Sequence, residues 1–161
     1  MAATARILAF LRDRRPEGPC LVVDLEVIEN NYRAFTRAMP DTRIFYAVKA
    51  NPHPIVVDQL WQAGIRHFDT ASLGEIEIIK NIAPSAICHF MAPVRLAGQA
   101  KAAFEKHGVS DFVVDSESEL NKLLAETGNP KTPRIFVRLV GQLGGALLAM
   151  SSKCGCLPDA A

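Results

Sequence analysis

The chain has 161 residues, a formal net charge of +1 and a hydrophobic content of 49%. This balance predicts a globular, soluble protein and excludes a disordered one. A near-neutral charge without a basic run argues against nucleic acid and membrane surfaces as the main partners. The apolar stretch at residues 7–11 is too short for a signal peptide or a membrane-spanning helix, so a cytoplasmic location is expected by default.

The first clear element is a helix that follows residues 1–17, which we interpret as an N-terminal extension. Asp24 is a favourable N-cap for this helix. Apolar residues then recur at steps of three and four and give the helix an apolar stripe; they are Leu25, Ile28, Tyr32, Phe35 and Met39. Pro40 and Asp41 end the helix.

Five strand-like runs follow at intervals near 23 residues, at 44–48, 66–70, 87–90, 111–115 and 135–140. A helical pattern separates each run from the next, and this alternation is typical of βαβ units in a parallel sheet. The expected helices begin near Pro54 and after Ser72, and three of them end at Gly64, Gly108 and Gly128.

Two folds fit these units. An open parallel sheet that binds a dinucleotide needs a glycine-rich turn after its first strand, but residues 50–53 read Ala-Asn-Pro-His. The alternative is an incomplete (β/α)₈ barrel, since five units are fewer than the eight that close one.

Lys49 stands at the end of the first strand, in the sequence Phe-Tyr-Ala-Val-Lys-Ala-Asn-Pro. Barrels place their chemistry at this end of the strands. A desolvated amine there has a lowered pKa and can form a Schiff base with an aldehyde. The physics of this peptide alone favours an ordinary lysine that extends to water.

Four motifs carry a resemblance to a known family. They are residues 45–51 around Lys49, Phe-Asp-Thr-Ala-Ser-Leu-Gly-Glu-Ile at 68–76, Asp-Ser-Glu-Ser-Glu-Leu at 115–120, and Ser-Ser-Lys-Cys-Gly at 151–155. In this order and spacing they resemble the ornithine/diaminopimelate/arginine decarboxylases, which are barrel-type enzymes that use pyridoxal phosphate (PLP). The resemblance spans roughly residues 18–158, with Cys154 where members usually carry Phe.

The resemblance implies an α/β fold, with residues 18–161 as the N-terminal part of an alanine racemase-like TIM barrel. The rest of that barrel and a C-terminal β-domain are absent. It implies PLP as cofactor, a homodimer, a small amino-acid substrate, and no nucleic-acid or membrane partner. It also implies that Lys49 holds PLP as the catalytic residue, with Asp69, Glu75 and Arg138 near the cofactor.

Structural roles compete with some of these assignments. Asp69 could cap the following helix, and Ser72 with Glu75 has the form of a capping box. Residues 116–119 have the same form, and we favour a structural role there. Arg138 lies between apolar residues of the fifth strand, where a buried charge needs a partner.

The remaining histidines and cysteines are expected to be incidental. His89 is interpreted as a satisfied residue at the pocket rim. The other histidines, His53, His67 and His107, are interpreted as surface or helix-end residues. Cys20 and Cys88 adjoin apolar strands and are predicted to be buried, while Cys154 and Cys156 lack a second ligand pair and predict no metal site.

The Asp-Thr-Ala-Ser sequence at 69–72 resembles the ornithine and lysine decarboxylase branch. This favours loss of the carboxylate from a basic amino acid, ornithine or lysine, to give a diamine in polyamine synthesis, and a chain of this length is expected to be inactive alone. One alternative is a truncated, non-catalytic paralogue or fragment that binds a partner, because the family includes inactive members. Another is a racemase-like barrel protein that holds PLP without decarboxylation.

Overall fold

A computed structural model describes residues 5–128, 133–140 and 154–158. Helices and strands alternate along the described chain: α1 (Ala5–Arg14), α2 (Leu25–Ala38), β1 (Phe45–Ala47), α3 (Pro54–Ala63), β2 (His67–Thr70), α4 (Leu73–Ile82), β3 (Ile87–Phe90), α5 (Gln99–His107), β4 (Asp111–Val114), α6 (Glu117–Thr127) and β5 (Arg134–Val137). A single 3₁₀ turn, Val48–Ala50, follows β1.

The five strands form one parallel sheet in the order β1-β2-β3-β4-β5. In a dinucleotide-binding sheet the strand order reverses at the first strand, so that other strands lie on both sides of it. Here β1 lies at an edge and the order does not reverse. Right-handed crossovers in sequential order place the connecting helices α3–α6 on the same face of the sheet. The other face, called the inner face below, is the one that a closed barrel encloses. The described residues therefore form five consecutive strands joined by four helices, as in part of a (β/α)₈ barrel.

The core lies between the sheet and helices α3–α6. Phe68, Phe90 and Phe112 lie on β2, β3 and β4 and are fully buried, and Phe90 pairs directly with Phe112 in the sheet register. Ile76 and Ile79 of α4 are buried with them. Since side chains alternate along a strand, the neighbours of these phenylalanines face the inner side.

Local signals in the sequence set the helix ends. Asp24 caps α2 by accepting hydrogen bonds from the amides of Glu26 and Val27. Pro54 occupies the first turn of α3, and Gly64 ends it with φ of 119°, a conformation that disfavours other residues.

The α5 helix begins in a way that its own sequence does not predict. Gly98 at the N-cap offers no side chain, and the carboxylate of Glu126 on α6 supplies the acceptor instead. It accepts from the amides of Gly98, Ala100 and Lys101, at 2.8, 3.0 and 3.3 Å. Because a carboxylate stabilises a helix N-terminus, this contact ties α5 to α6.

The structure corrects several expectations. Helix α1 was not expected within the N-terminal extension. Cys20 is exposed, so its predicted burial was wrong, whereas Cys88 is buried as predicted. The fifth strand is shorter than expected, and all four of its residues are exposed. The prediction that it is a buried strand was therefore wrong. No helix in the described part of the chain is long and apolar enough to cross a membrane.

Beyond β5, Leu139 forms a parallel bridge with Cys156. Gly155 lies beside this bridge with φ of 140°. An added Cβ there would lie 2.8 Å from Val140 Cγ2 and 3.1 Å from the Val140 amide nitrogen. The first three residues of the Ser-Ser-Lys-Cys-Gly motif, 151–153, lie outside the described residues.

Gly155→Ala is therefore expected to disrupt the bridge, at a cost of about 1 kcal/mol or more. Hydrogen exchange at the amides of Val140 and Cys156, which donate across the bridge, should accelerate by about fivefold or more. Gly18→Ala is the matched control, because no atom lies within 4 Å of its added Cβ. Equal exchange rates in both variants would contradict the expectation.

Candidate cofactor site

A pocket of about 210 Å³ lies where the carboxyl ends of the strands meet. Lys49 reaches it from the turn after β1, Asp69 from β2 and Arg138 from the residue after β5. The loop after β3 supplies Met91, Ala92, Pro93 and Val94, and Ala71 and Cys154 complete the lining. Three predicted site residues from separate repeats thus converge on one pocket.

Lys49 itself is exposed at this pocket. The expectation that burial desolvates its amine was therefore wrong for this structure, and its access to the pocket is the feature that matters. The preceding residue, Val48, is fully buried, which fixes the backbone from which Lys49 projects. Tyr46 adds support, since its hydroxyl donates to the carbonyl of Asn51 on the far side of the turn.

Asp69 is the half-buried acid of the pocket. Burial raises its pKa above the ordinary value, while the positive charges of Lys49, Arg138 and His89 act in the opposite direction. Asp69 does not cap α4, because the Ser72 hydroxyl accepts from the Glu75 amide. Its carboxylate is thus left to face the lysine and arginine of the pocket.

Arg138 is exposed and follows β5, which corrects its expected place inside a buried strand. Its Nη2 donates to the carbonyl of Met91 at 3.1 Å. This hydrogen bond joins the residue after β5 to the residue after β3, and both residues line the pocket.

Glu75 has the structural role that its capping-box pattern predicts. Its carboxylate accepts from the amide of Ala71 at 2.7 Å, one residue before the expected Ser72 amide. Glu75 is not among the residues that line the pocket. Its proposed contact with a cofactor stays a prediction.

The second capping box is only half formed. The Ser116 hydroxyl accepts from the Glu119 amide at 3.4 Å. The carboxylate of Glu119 instead accepts from Lys122 at 2.6 Å and lies 3.8 Å from the buried guanidinium of Arg95. The structural role expected for this segment is supported.

A polar cluster on the inner face was missed by the sequence interpretation. We call it the inner-face cluster; it consists of His67, His89, Asp111 and Arg134. His67 Nδ1 lies 2.9 Å from His89 Nε2, and His89 Nδ1 lies 2.6 Å from Asp111 Oδ2. Arg134 donates to both oxygens of Asp111, at 2.6 and 2.8 Å.

This cluster corrects the roles given to its histidines. His89 is fully buried rather than at a rim, and the ring of Phe45 stacks on it with centroids 4.0 Å apart. His67 is part of the same stack and is not an ordinary surface residue. His53, by contrast, does lie at a helix end, where its Nδ1 accepts from the Ile55 amide.

A signal for this cluster does exist in the sequence. His89, Asp111 and Arg134 pair across β3, β4 and β5 and are 22 and 23 residues apart, while His67 lies two residues before Asp69, the register partner of His89. A polar residue at the same place in successive repeats therefore predicts neighbours on one face of the sheet.

Burial lowers the pKa of His89 and of His67, although the hydrogen bond and charge of Asp111 oppose this for His89. A histidine whose pKa is lowered by folding binds its proton more readily when unfolded. Stability is therefore expected to be full above the ordinary imidazole pKa of about 6.5, and to fall as the pH drops below it. The urea midpoint should be lower at about pH 5.5 than at about pH 7.5. Equal midpoints would contradict this expectation.

Comparison with known proteins shows the family. Residues 25–159 match the family described as pyridoxal-dependent decarboxylase, pyridoxal binding domain. The chain belongs to this family. Over 143 residues it is 34% identical to the lysine/ornithine decarboxylase of Selenomonas ruminantium, covering 88% of this chain and 35% of that one. Human antizyme inhibitor 2 is 36% identical over 106 residues, which cover 64% of this chain and 22% of that protein.

Solved structures agree with this membership. A mutant of SrLDC in complex with PLP superimposes with a TM-score of 0.81 at 30% identity, over 99% of this chain and 40% of that one. The lysine/ornithine decarboxylase from Vibrio vulnificus in complex with cadaverine gives 0.80 at 29% identity, over 98% and 40%. This decarboxylase-family chain thus spans less than half the length of the relatives that it matches.

PLP is the cofactor of this family's domain, and the pocket fits it. An exposed primary amine at the strand mouth can reach an aldehyde. The guanidinium of Arg138 and the ammonium of Lys49 give the pocket positive charge, which suits a phosphorylated, anionic ligand. Among the described residues, no group of three or more His, Cys, Asp or Glu side chains could hold a metal ion.

Proposed function

We propose that Lys49 holds PLP covalently and that the protein removes the carboxylate of a basic amino acid, ornithine or lysine. The observation that carries this proposal is the convergence of Lys49, Asp69 and Arg138 on one pocket at the carboxyl ends of the strands. Each residue comes from a different repeat, so the fold itself brings them together. The family to which the chain belongs supports the same reaction class.

The bound cofactor supplies the electron sink that decarboxylation needs, and the protein supplies position and charge. Lys49 contributes the amine that attaches the cofactor. Asp69 lines the same pocket as that amine, and burial raises the pKa of its carboxyl group, which favours a bound proton there. Arg138 presents a permanently charged, planar donor group that suits a carboxylate or phosphate.

The substrate class rests on the relatives. The Selenomonas ruminantium protein is a lysine/ornithine decarboxylase, and the Vibrio vulnificus one was solved with the diamine cadaverine. We infer that this protein likewise forms a diamine, which places it in polyamine synthesis. The proposal also includes a homodimer, which the family resemblance supports, and a cytoplasmic location.

Release of labelled CO₂ from carboxyl-labelled ornithine and lysine, with added PLP, tests the activity of the 161-residue chain. In contrast to the expectation from chain length, the proposal predicts release from at least one of the two, and none from Lys49→Ala. Release that is equal in the variant would contradict it, as would PLP attachment without any release.

Arg138→Ala is expected to weaken the affinity for PLP by about tenfold to a hundredfold, because loss of one charge-assisted hydrogen bond costs about 1.5–3 kcal/mol. Fluorescence titration with PLP measures this affinity. Arg33→Ala is the matched control, since Arg33 pairs with Glu29 on α2 and lies outside the pocket. An unchanged dissociation constant in Arg138→Ala would remove this residue from the proposed site.

A non-catalytic role is the second candidate. It is favoured by the similarity to antizyme inhibitor 2 from human and from Xenopus laevis, at 36% identity in both cases. This role would leave the fold intact while neither PLP attachment nor CO₂ release occurs. The two experiments above therefore separate the candidates.

A further inference from the structure

One row of side chains crosses the sheet from the proposed cofactor pocket to its far strand. The register pairs Asp69 with His89, His89 with Asp111, and Asp111 with Arg134. Residues paired in this way lie on the same face of a sheet. The row thus alternates acid and base over four neighbouring strands, and Asp69 is its member in the Lys49 pocket.

The far end of the row is fixed in its charge. Burial alone would raise the pKa of Asp111, but hydrogen bonds from Arg134 and His89 outweigh it, and the pKa lies below the ordinary value. Asp111 is therefore a carboxylate at neutral pH, and its Oδ2 lies 2.6 Å from His89 Nδ1. An acceptor at this distance requires that Nδ1 carries a proton.

The near end of the row is free to change its charge. Burial raises the pKa of Asp69 and lowers that of His89, so the two values move toward each other. The charged groups that face His89 are His67 and Asp69 from β2, Asp111 from β4 and Arg134 from β5; β1 contributes the uncharged ring of Phe45. Asp69 favours protonation of His89 and His89 favours ionisation of Asp69, so the two titrations are coupled.

We propose that His89, held by Asp111, is a positioning residue for the Lys49 pocket, and that protonation of His89 is coupled to ionisation of Asp69. The row then determines whether Asp69 faces Lys49 as a carboxylate or as a neutral acid. This inference deepens the proposed function, because the charge of Asp69 matters to chemistry only if Lys49 attaches the cofactor.

Proton binding at His89 has a visible consequence at His67. Neutral His89 donates from Nδ1 to Asp111 and accepts at Nε2, so His67 must carry its proton on Nδ1. Protonated His89 donates from both nitrogens, so His67 must then accept at Nδ1 and carry its proton on Nε2. Each protonation of His89 therefore switches the tautomer of His67.

The test follows the ring nitrogens of His89 and His67 and the Asp69 carboxyl carbon by NMR, between about pH 4 and pH 7.5. Asp69→Asn is expected to lower the proton affinity of His89 by about threefold or more, because it removes a facing negative charge. Glu77→Gln removes the same charge from an exposed position on α4 and should leave His89 unchanged. The His67 tautomer should switch at the pH at which His89 titrates.

Equal His89 titrations in wild type and Asp69→Asn would overturn the inference, as would a His67 tautomer that does not change while His89 titrates. A second readout is the pH profile of PLP attachment, trapped by borohydride. Asp111→Asn weakens the hydrogen bond to His89 and should shift this profile along the pH axis. His107→Gln should leave the profile unchanged. The NMR measurements need no PLP, so absence of PLP attachment counts against the proposed function alone.

Discussion

Replacing Lys49 with alanine is expected to abolish covalent attachment of PLP. Lys49 is the only lysine that lines the described pocket, and no other lining residue carries an amine. With PLP added, the wild-type chain should develop an absorbance band near roughly 420 nm that borohydride removes. The Lys49→Ala variant should show only the spectrum of free PLP.

Lys106→Ala provides the control for this experiment. Lys106 lies in the last turn of α5 and does not line the pocket, so the variant loses one amine and leaves the site intact. Its spectrum should match that of the wild type. A band of equal height in Lys49→Ala would show that PLP reacts with surface lysines and would remove Lys49 from the account.

Phe90→Ala is expected to cost about 3–5 kcal/mol of unfolding free energy. The ring is fully buried between the sheet and the helices, 6.2 Å from the ring of Phe112 and 5.6 Å from the guanidinium carbon of Arg95. Its removal leaves a cavity in the layer that joins β3 to the helices. Urea unfolding followed by circular dichroism measures the loss.

Phe35→Ala is the matched substitution outside the core. Phe35 lies on α2 with its side chain 48% exposed, so the expected loss is no more than about 1.5 kcal/mol. Similar losses in the two variants would contradict the location of the core. Complete unfolding of Phe90→Ala alone would agree with it, because small domains have little stability to lose.

The sequence predicted the repeating units well because their signals are local. Period-two and period-3.6 patterns, the Asp24 cap and the glycine exits each depend on a few neighbouring residues. The parallel order of the strands then follows from the length of the connections. The sequence does not predict helix α1, because its short apolar stretch indicates only that it is neither a targeting nor a membrane segment.

Burial and pairing were harder to predict, because they depend on contacts between distant repeats. Lys49 and Arg138 were expected in buried surroundings and are exposed, while His89 was expected at a rim and is fully buried. The convergence of Lys49, Asp69 and Arg138 was inferred from the family resemblance, and no property of the individual peptides requires it. The inner-face cluster could have been anticipated only by comparing equivalent places in successive strands.

The most direct test of the central claim is to locate the attached cofactor. The wild-type chain would be incubated with PLP, reduced with borohydride, digested with trypsin and mapped by mass spectrometry. Reduction should block cleavage after Lys49, so the account predicts the added mass on a single peptide of residues 44–66. An added mass distributed over Lys80, Lys101, Lys106 and other lysines, with residues 44–66 unmodified, would contradict it.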